Sequence, residues 1–162
     1  MLRCQISSDI QDLNALHNEY WWIPSEHMIR PSPKVLENKR ESSNYILHHW
    51  MSFRDFILDT HFKYPVDIED GHIYVRDEVT KSEWNFSQSV FPYDVPENVH
   101  HYVLWNSLYT YGAEFDDTLI NCMITETIAN IVGSDGFDFA WYKNPKPSIL
   151  ELWHCQVFWI RI

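Results

Sequence analysis

The last twelve residues, "ELWHCQVFWIRI" (151–162), constrain the fold most. Read at the two-residue period of a strand, they set Trp153, Cys155, Val157 and Trp159 on one face and His154, Gln156, Phe158 and Ile160 on the other. Both faces are largely apolar, so this strand needs cover on both sides and belongs in the middle of a sheet. Other strands are read along the chain. "HYVLWNS" (101–107) sets His101, Val103 and Trp105 on one face, with Tyr102 and Leu104 on the other. "FDFAWYK" (137–143) is a strand joined to the last one by the turn "NPKPS". "GHIYVRDEV" (71–79) alternates, with Ile73 and Val75 together, and "SEWNF" (82–86) is its expected hairpin partner. In "FPYDVPENVHHYVLW" (91–105), Pro92 and Pro96 force an extended or turning path into the strand that follows.

Helical spacing marks three further segments. In "SSDIQDLNALHNEYWW", Ser8 and Gln11 form a capping box, and Ile10, Leu13, Leu16 or His17, and Tyr20 recur at helical intervals until Pro24. "RPSPKVLENKRESS" reads as a linker with a short helical piece, Ser32 capping before Pro33. A strong helix follows over 43–60, its apolar face made by Ile46, His49 or Trp50, Phe53, and Phe56 or Ile57. "EFDDTLINCMITETIANIVGSDG" is the third helix, capped by Asp116 or Asp117 and closed by Gly133. Its expected inner face is Leu119, Cys122 or Met123, Thr127 or Ile128, and Ile131. The elements predict an α+β fold. N-terminal helices pack on an antiparallel sheet of about four to five strands with one intervening helix, in a single domain spanning 1–162.

Composition narrows the function classes. Aromatics reach 16% with eight Trp, enough to build a core from rings and to spare some for a binding wall. The net charge of −11 and the lack of a basic run argue against a nucleic-acid or anionic-membrane surface. Arg30, Lys34, Lys39 and Arg40 are interleaved with Glu37 and Glu41 and read as a solvated helix face. Three dispersed cysteines, Cys4, Cys122 and Cys155, form no CxxC and fit reduced thiols in a cytoplasmic protein. Met1 leads into a polar stretch rather than an apolar signal segment, and no apolar run reaches the roughly 20 residues of a membrane helix.

No P-loop, GxGxxG, HExxH or GxSxG is present. The paired HxT or HxS motifs of two-histidine phosphoesterases also fail, because Val103 and Gln156 stand at the second positions after His101 and His154. The histidines themselves remain the best constellation. His101 and His154 lie on strands of one expected sheet, and imidazole is the side chain most readily tuned for proton transfer near neutrality. Gln156 shares the face of His154, Asn144 and Ser148 lie in the turn before that strand, and Trp105 and Trp141 can wall a ligand. The loop "HFKYPVDIEDGH", with His61, Asp67, Glu69, Asp70 and His72, matches no calcium loop or zinc spacing and reads as an acidic turn. Glu114, Asp116 and Asp117 are explained by helix capping. Neither a metal nor a cofactor is expected.

Three motifs carry a resemblance. "FPY" at Phe91, Pro92 and Tyr93 precedes His101 and Trp105; Trp141, Asn144, Pro145 and Ser148 follow; His154, Val157 and Phe158 close the series. This order resembles an uncharacterised, largely fungal domain family that includes the "N-acetylglucosamine-induced protein". The resemblance covers roughly the C-terminal half and implies no reaction. Its second C-terminal histidine is replaced here by Gln156, which puts any activity resting on that histidine in doubt. The expected function is binding of a small polar ligand, sugar- or nucleotide-like, in a pocket lined by His, Trp and Asn. Acid–base hydrolysis at His101 and His154 would follow from it. The rival expectation is a non-catalytic protein, holding a protein partner or a second copy of itself through aromatic surface, or a structural, virion-type protein.

Overall fold

The computed structural model describes residues 21–22, 33–91, 93, 95–133, 135–144 and 147–162. The expected first helix, with Ser8, Ile10, Gln11, Leu13, Leu16, His17 and Tyr20, lies outside the described residues, as do Cys4, Arg30, Ser32, Pro92, Pro145 and the side chain of Lys34. The architecture is α+β, with three helices, a four-stranded antiparallel sheet and a separate two-stranded hairpin among the described residues.

The stretch expected as a linker with a short helical piece is helical throughout from Pro33 on. Helix α1 runs Pro33–His49, and its Lys, Glu, Arg and Leu residues are good helix formers behind a first-turn proline. The expected helix over 43–60 is instead two, because α2 runs Phe53–Thr60 with its own cap. The Ser52 Oγ accepts the Asp55 backbone N–H at 3.0 Å, and its hydroxyl donates to Asp55 Oδ2 at 2.6 Å. The break between α1 and α2 has a tertiary cause. Met51 N–H donates to the Ile73 carbonyl, and Trp50 bridges to Ile73, so the chain leaves α1 to meet a strand.

That strand is β2, His72–Val75, and its partner is β1, Val66–Glu69. The expected partner "SEWNF" pairs elsewhere. The reason is the turn: Asp70 and Gly71 both take positive φ, 50° and 80°, which is the two-residue hairpin geometry that Asp-Gly favours. "SEWNF" belongs to β3, Trp84–Gln88, which pairs with β4, His100–Asn106. Helix α3, Asp117–Val132, leads to β5, Phe137–Tyr142, and then β6, His154–Arg161. The sheet order is β3-β4-β6-β5, so the last strand is central, as its two apolar faces demand.

Two cores cover the two faces of the sheet. On one, α3 lays the stripe Ile120, Ile124, Ile128 and Val132 against Leu104, Phe139, Trp141, Val157 and Trp159. Of the expected inner face, Ile128 is in the core and Met123 packs against it, whereas Leu119, Cys122 and Ile131 face out, Leu119 46% and Ile131 42% exposed. The four-residue series of β-branched side chains is the continuous one, so it takes the sheet. On the other face, α2 contributes Ile57 and Leu58, which pack with Val103, Trp105, Ile149 and Leu152.

Candidate functional site

The second face carries the histidines, and cross-strand register sets their spacing. His101 on β4 stands opposite Phe158 on β6, while His154 stands opposite Trp105. The two imidazoles therefore share a face but lie four positions apart along β6, roughly 13 Å in the strand direction. Val103 and Gln156, paired with each other, stand between them. The structure does not bring His101 and His154 together as a pair.

Their surroundings differ as well. His101 is 6% exposed, and its ring lies nearly parallel to those of Tyr93 and Phe158, at centroid distances of 4.6 and 4.8 Å. The Tyr93 backbone N–H donates to His101 Nδ1 at 3.0 Å. A nitrogen that accepts from a backbone N–H carries no hydrogen, so the neutral ring bears its hydrogen on Nε2. That hydrogen is donated to Gln156 Oε1 at 2.6 Å. Both nitrogens of His101 are thus occupied. Burial drives its pKa down to about 4, although the Gln156 bond pulls the other way.

His154 is 5% exposed and lies against Trp105, with ring centroids 4.5 Å apart. Its Nδ1–H donates to the Leu152 carbonyl at 2.9 Å. Nε2 is then left with a lone pair, and no described group bonds it. Burial again lowers the pKa to about 4; the Leu152 carbonyl opposes that shift and the Lys143 charge adds to it.

His154 and Gln156 open into a cleft of about 80 Å³. Trp105 and Val103 from β4 form its wall, and Phe53, Phe56 and Ile57 of α2 roof it. Asn144, Pro147 and Ser148 close one end, and Ser89, Phe91 and Tyr93 another. Five of the seven residues singled out from sequence therefore meet here: His154, Gln156, Trp105, Asn144 and Ser148. His101 sits behind Gln156 rather than on the cleft wall. Trp141 lies on the opposite face, under α3, where its indole N–H donates to Asn121 Oδ1 at 2.7 Å. Its odd-even phase on β5 follows from the Trp141–Val157 pairing, which puts it with the first core.

Lys39 and Tyr93 were not singled out as site residues. Lys39 Nζ donates to Ser148 Oγ at 3.4 Å at the rim and stands 5.8 Å from the Phe91 ring centroid. The local sequence shows only a charged helix face there, and a separation of 109 positions between Lys39 and Ser148 leaves no local signal. Tyr93 was visible only inside the "FPY" motif. The described residues contain no cluster of three or more His, Cys, Asp or Glu side chains able to hold a metal ion.

Comparison with known proteins gives little to set beside this geometry. No family model and no curated protein matches the chain. A solved structure, "Crystal Structure of HTC1", is similar over 82% of this chain and 76% of its own, with 14% identity and a TM-score of 0.43. That likeness is too distant to carry a fold or functional argument.

Proposed function

We propose that the chain is a ligand-binding domain that takes the polar end of a sugar- or nucleotide-like small molecule into the cleft over β4 and β6. The observation that carries the reading is the buried His154, which lines the cleft together with Gln156 and Trp105 and whose Nε2 no described group bonds. Few polar groups set among aromatic walls is the usual make-up of a small-molecule site. Whole ligand sites of roughly 300–1,000 Å³ are larger, so a cleft of about 80 Å³ suits one end of a ligand, with the remainder over the rim near Lys39. Acid–base chemistry in this reading falls to His154 alone, as a neutral proton acceptor. The occupied nitrogens of His101 make it a support. The free thiols Cys122 and Cys155, the latter buried with its pKa raised by burial, agree with a cytoplasmic setting. No described helix is long and apolar enough to cross a membrane.

The test is a thermal-shift screen of sugars, nucleosides and their phosphates, repeated on His154→Phe, which keeps a ring in place and removes the Nε2 acceptor. A ligand at a hundred times its Kd adds about 2.7 kcal/mol, or about 5–10 °C in Tm for a chain of this size. The shift is expected for the natural chain and absent in the variant. A library in which no compound moves Tm by more than about 1 °C would count against a ligand site.

A further inference from the structure

We infer that the inner end of the cleft selects a neutral hydroxyl group, of the kind a sugar or polyol carries, by donating to its oxygen from Gln156 and accepting its hydrogen at His154. The inference rests on the reading of the cleft as a ligand site and adds the chemistry of what enters it. Two backbone groups set the polarity. The Tyr93 N–H can only donate, so His101 presents Nε2–H to Gln156. Gln156 must answer with its oxygen, which leaves the amide NH2 as the part of that side chain that no described group holds. The Leu152 carbonyl can only accept, so His154 keeps its hydrogen on Nδ1 and offers Nε2 as an acceptor.

The two β6 side chains thus bring one donor and one acceptor to the cleft, two residues apart on the same face, while Lys39, Ser89, Asn144 and Ser148 supply the polar groups at its ends. A single hydroxyl satisfies both, since it accepts and donates at one atom. A carboxylate accepts from Gln156 but sets a negative oxygen against the His154 lone pair. An ammonium donates to His154 but sets its hydrogens against the Gln156 amide. Trp105 gives the carbon side of a sugar an apolar wall. In this arrangement His101 is a positioning residue: it touches no ligand and acts by fixing which end of the Gln156 amide faces the cleft.

The experiment uses the full chain labelled with nitrogen-15. Long-range imidazole correlations at neutral pH are expected to show hydrogen on Nε2 of His101 and on Nδ1 of His154. Millimolar titrations with glucose, acetamide and acetate then follow the Gln156 side-chain NH2 and His154 Nε2. Glucose should give a saturable shift at both, with acetate at least about tenfold weaker, the usual loss when a buried polar group goes unpaired. Gln156→Glu, at a partly buried position where shape is kept, should abolish the glucose shift and leave His101 protonated at Nε2. The opposite tautomer at either ring, or acetate or acetamide binding more tightly than glucose, overturns the hydroxyl assignment and leaves the cleft standing as a site. Silence from all three probes removes the assignment together with the ligand site.

Discussion

Tyr93 does two things to His101 at once: its ring stacks on the imidazole with an interplanar angle of 22°, and its backbone N–H holds Nδ1. Tyr93, ahead of β4 in the chain, thus folds back over the strand that follows it, so the turn and the buried strand are one feature. His101→Ala removes the two ring hydrogen bonds and the stack on Phe158. It should cost about 2–4 kcal/mol in urea unfolding, from a large-to-small change plus the polar partners left unpaired. Trp141→Phe should cost about 2–3 kcal/mol, from the lost indole bond to Asn121 and the gap a fully buried ring leaves under α3, and should leave ligand shifts at the cleft unchanged. Of the seven residues chosen from sequence, alternation was enough to group His101 with Trp105 on β4 and His154 with Gln156 on β6, and the register of the two strands puts both pairs on one face. It could not say that His101 faces a loop and His154 a cleft. That depends on Tyr93 and α2, which arrive from elsewhere in the chain.

Among the elements, α2 ties the hairpin to the roof of the cleft. Asp55 links three parts: its Oδ2 accepts from Ser52, its own N–H meets the Ser52 oxygen, and its Oδ1 accepts the Val75 N–H of β2 at 2.8 Å. Ser52→Ala should cost about 1 kcal/mol as a lost cap. Asp55→Ala should cost more, about 2–3 kcal/mol, because it also strands the Val75 N–H. Hydrogen exchange at Val75 distinguishes the two, rising strongly only in the Asp55 variant. On the other side of the sheet, Ile124→Ala empties the middle of the α3 stripe and should cost about 2–5 kcal/mol. The helix and strand periods were legible where an element stands on its own pattern, as in β4, β6 and the span of α3. They failed at the α1–α2 break, where Trp50 turns aside to Ile73, and at "SEWNF", whose partner β4 lies beyond the loop. Tertiary pairing made both choices.

For the whole molecule, the buried neutral histidines set an acid limit. His101 and His154 titrate near 4 when folded and near the ordinary 6.5 when unfolded, both lowered chiefly by burial. Between those values the unfolded chain binds more protons, so stability rises with pH there. Stability is full above about pH 6.5, falls as pH drops toward 4, and loses on the order of 3 kcal/mol per histidine. A Tm series from pH 7 to 4.5 should fall steeply, and His154→Phe should flatten it by about half. The site joins two determinants: strand phase supplies its floor, and chain folding over long separations supplies its rim, with Lys39 reaching Ser148. The most direct measurement of the central claim is a crystal structure of the chain soaked in glucose. The account predicts a sugar hydroxyl between Gln156 Nε2 and His154 Nε2, against Trp105, with His101 untouched behind Gln156. Sugar bound elsewhere on the surface with this cleft closed, or bound directly by His101, would contradict it.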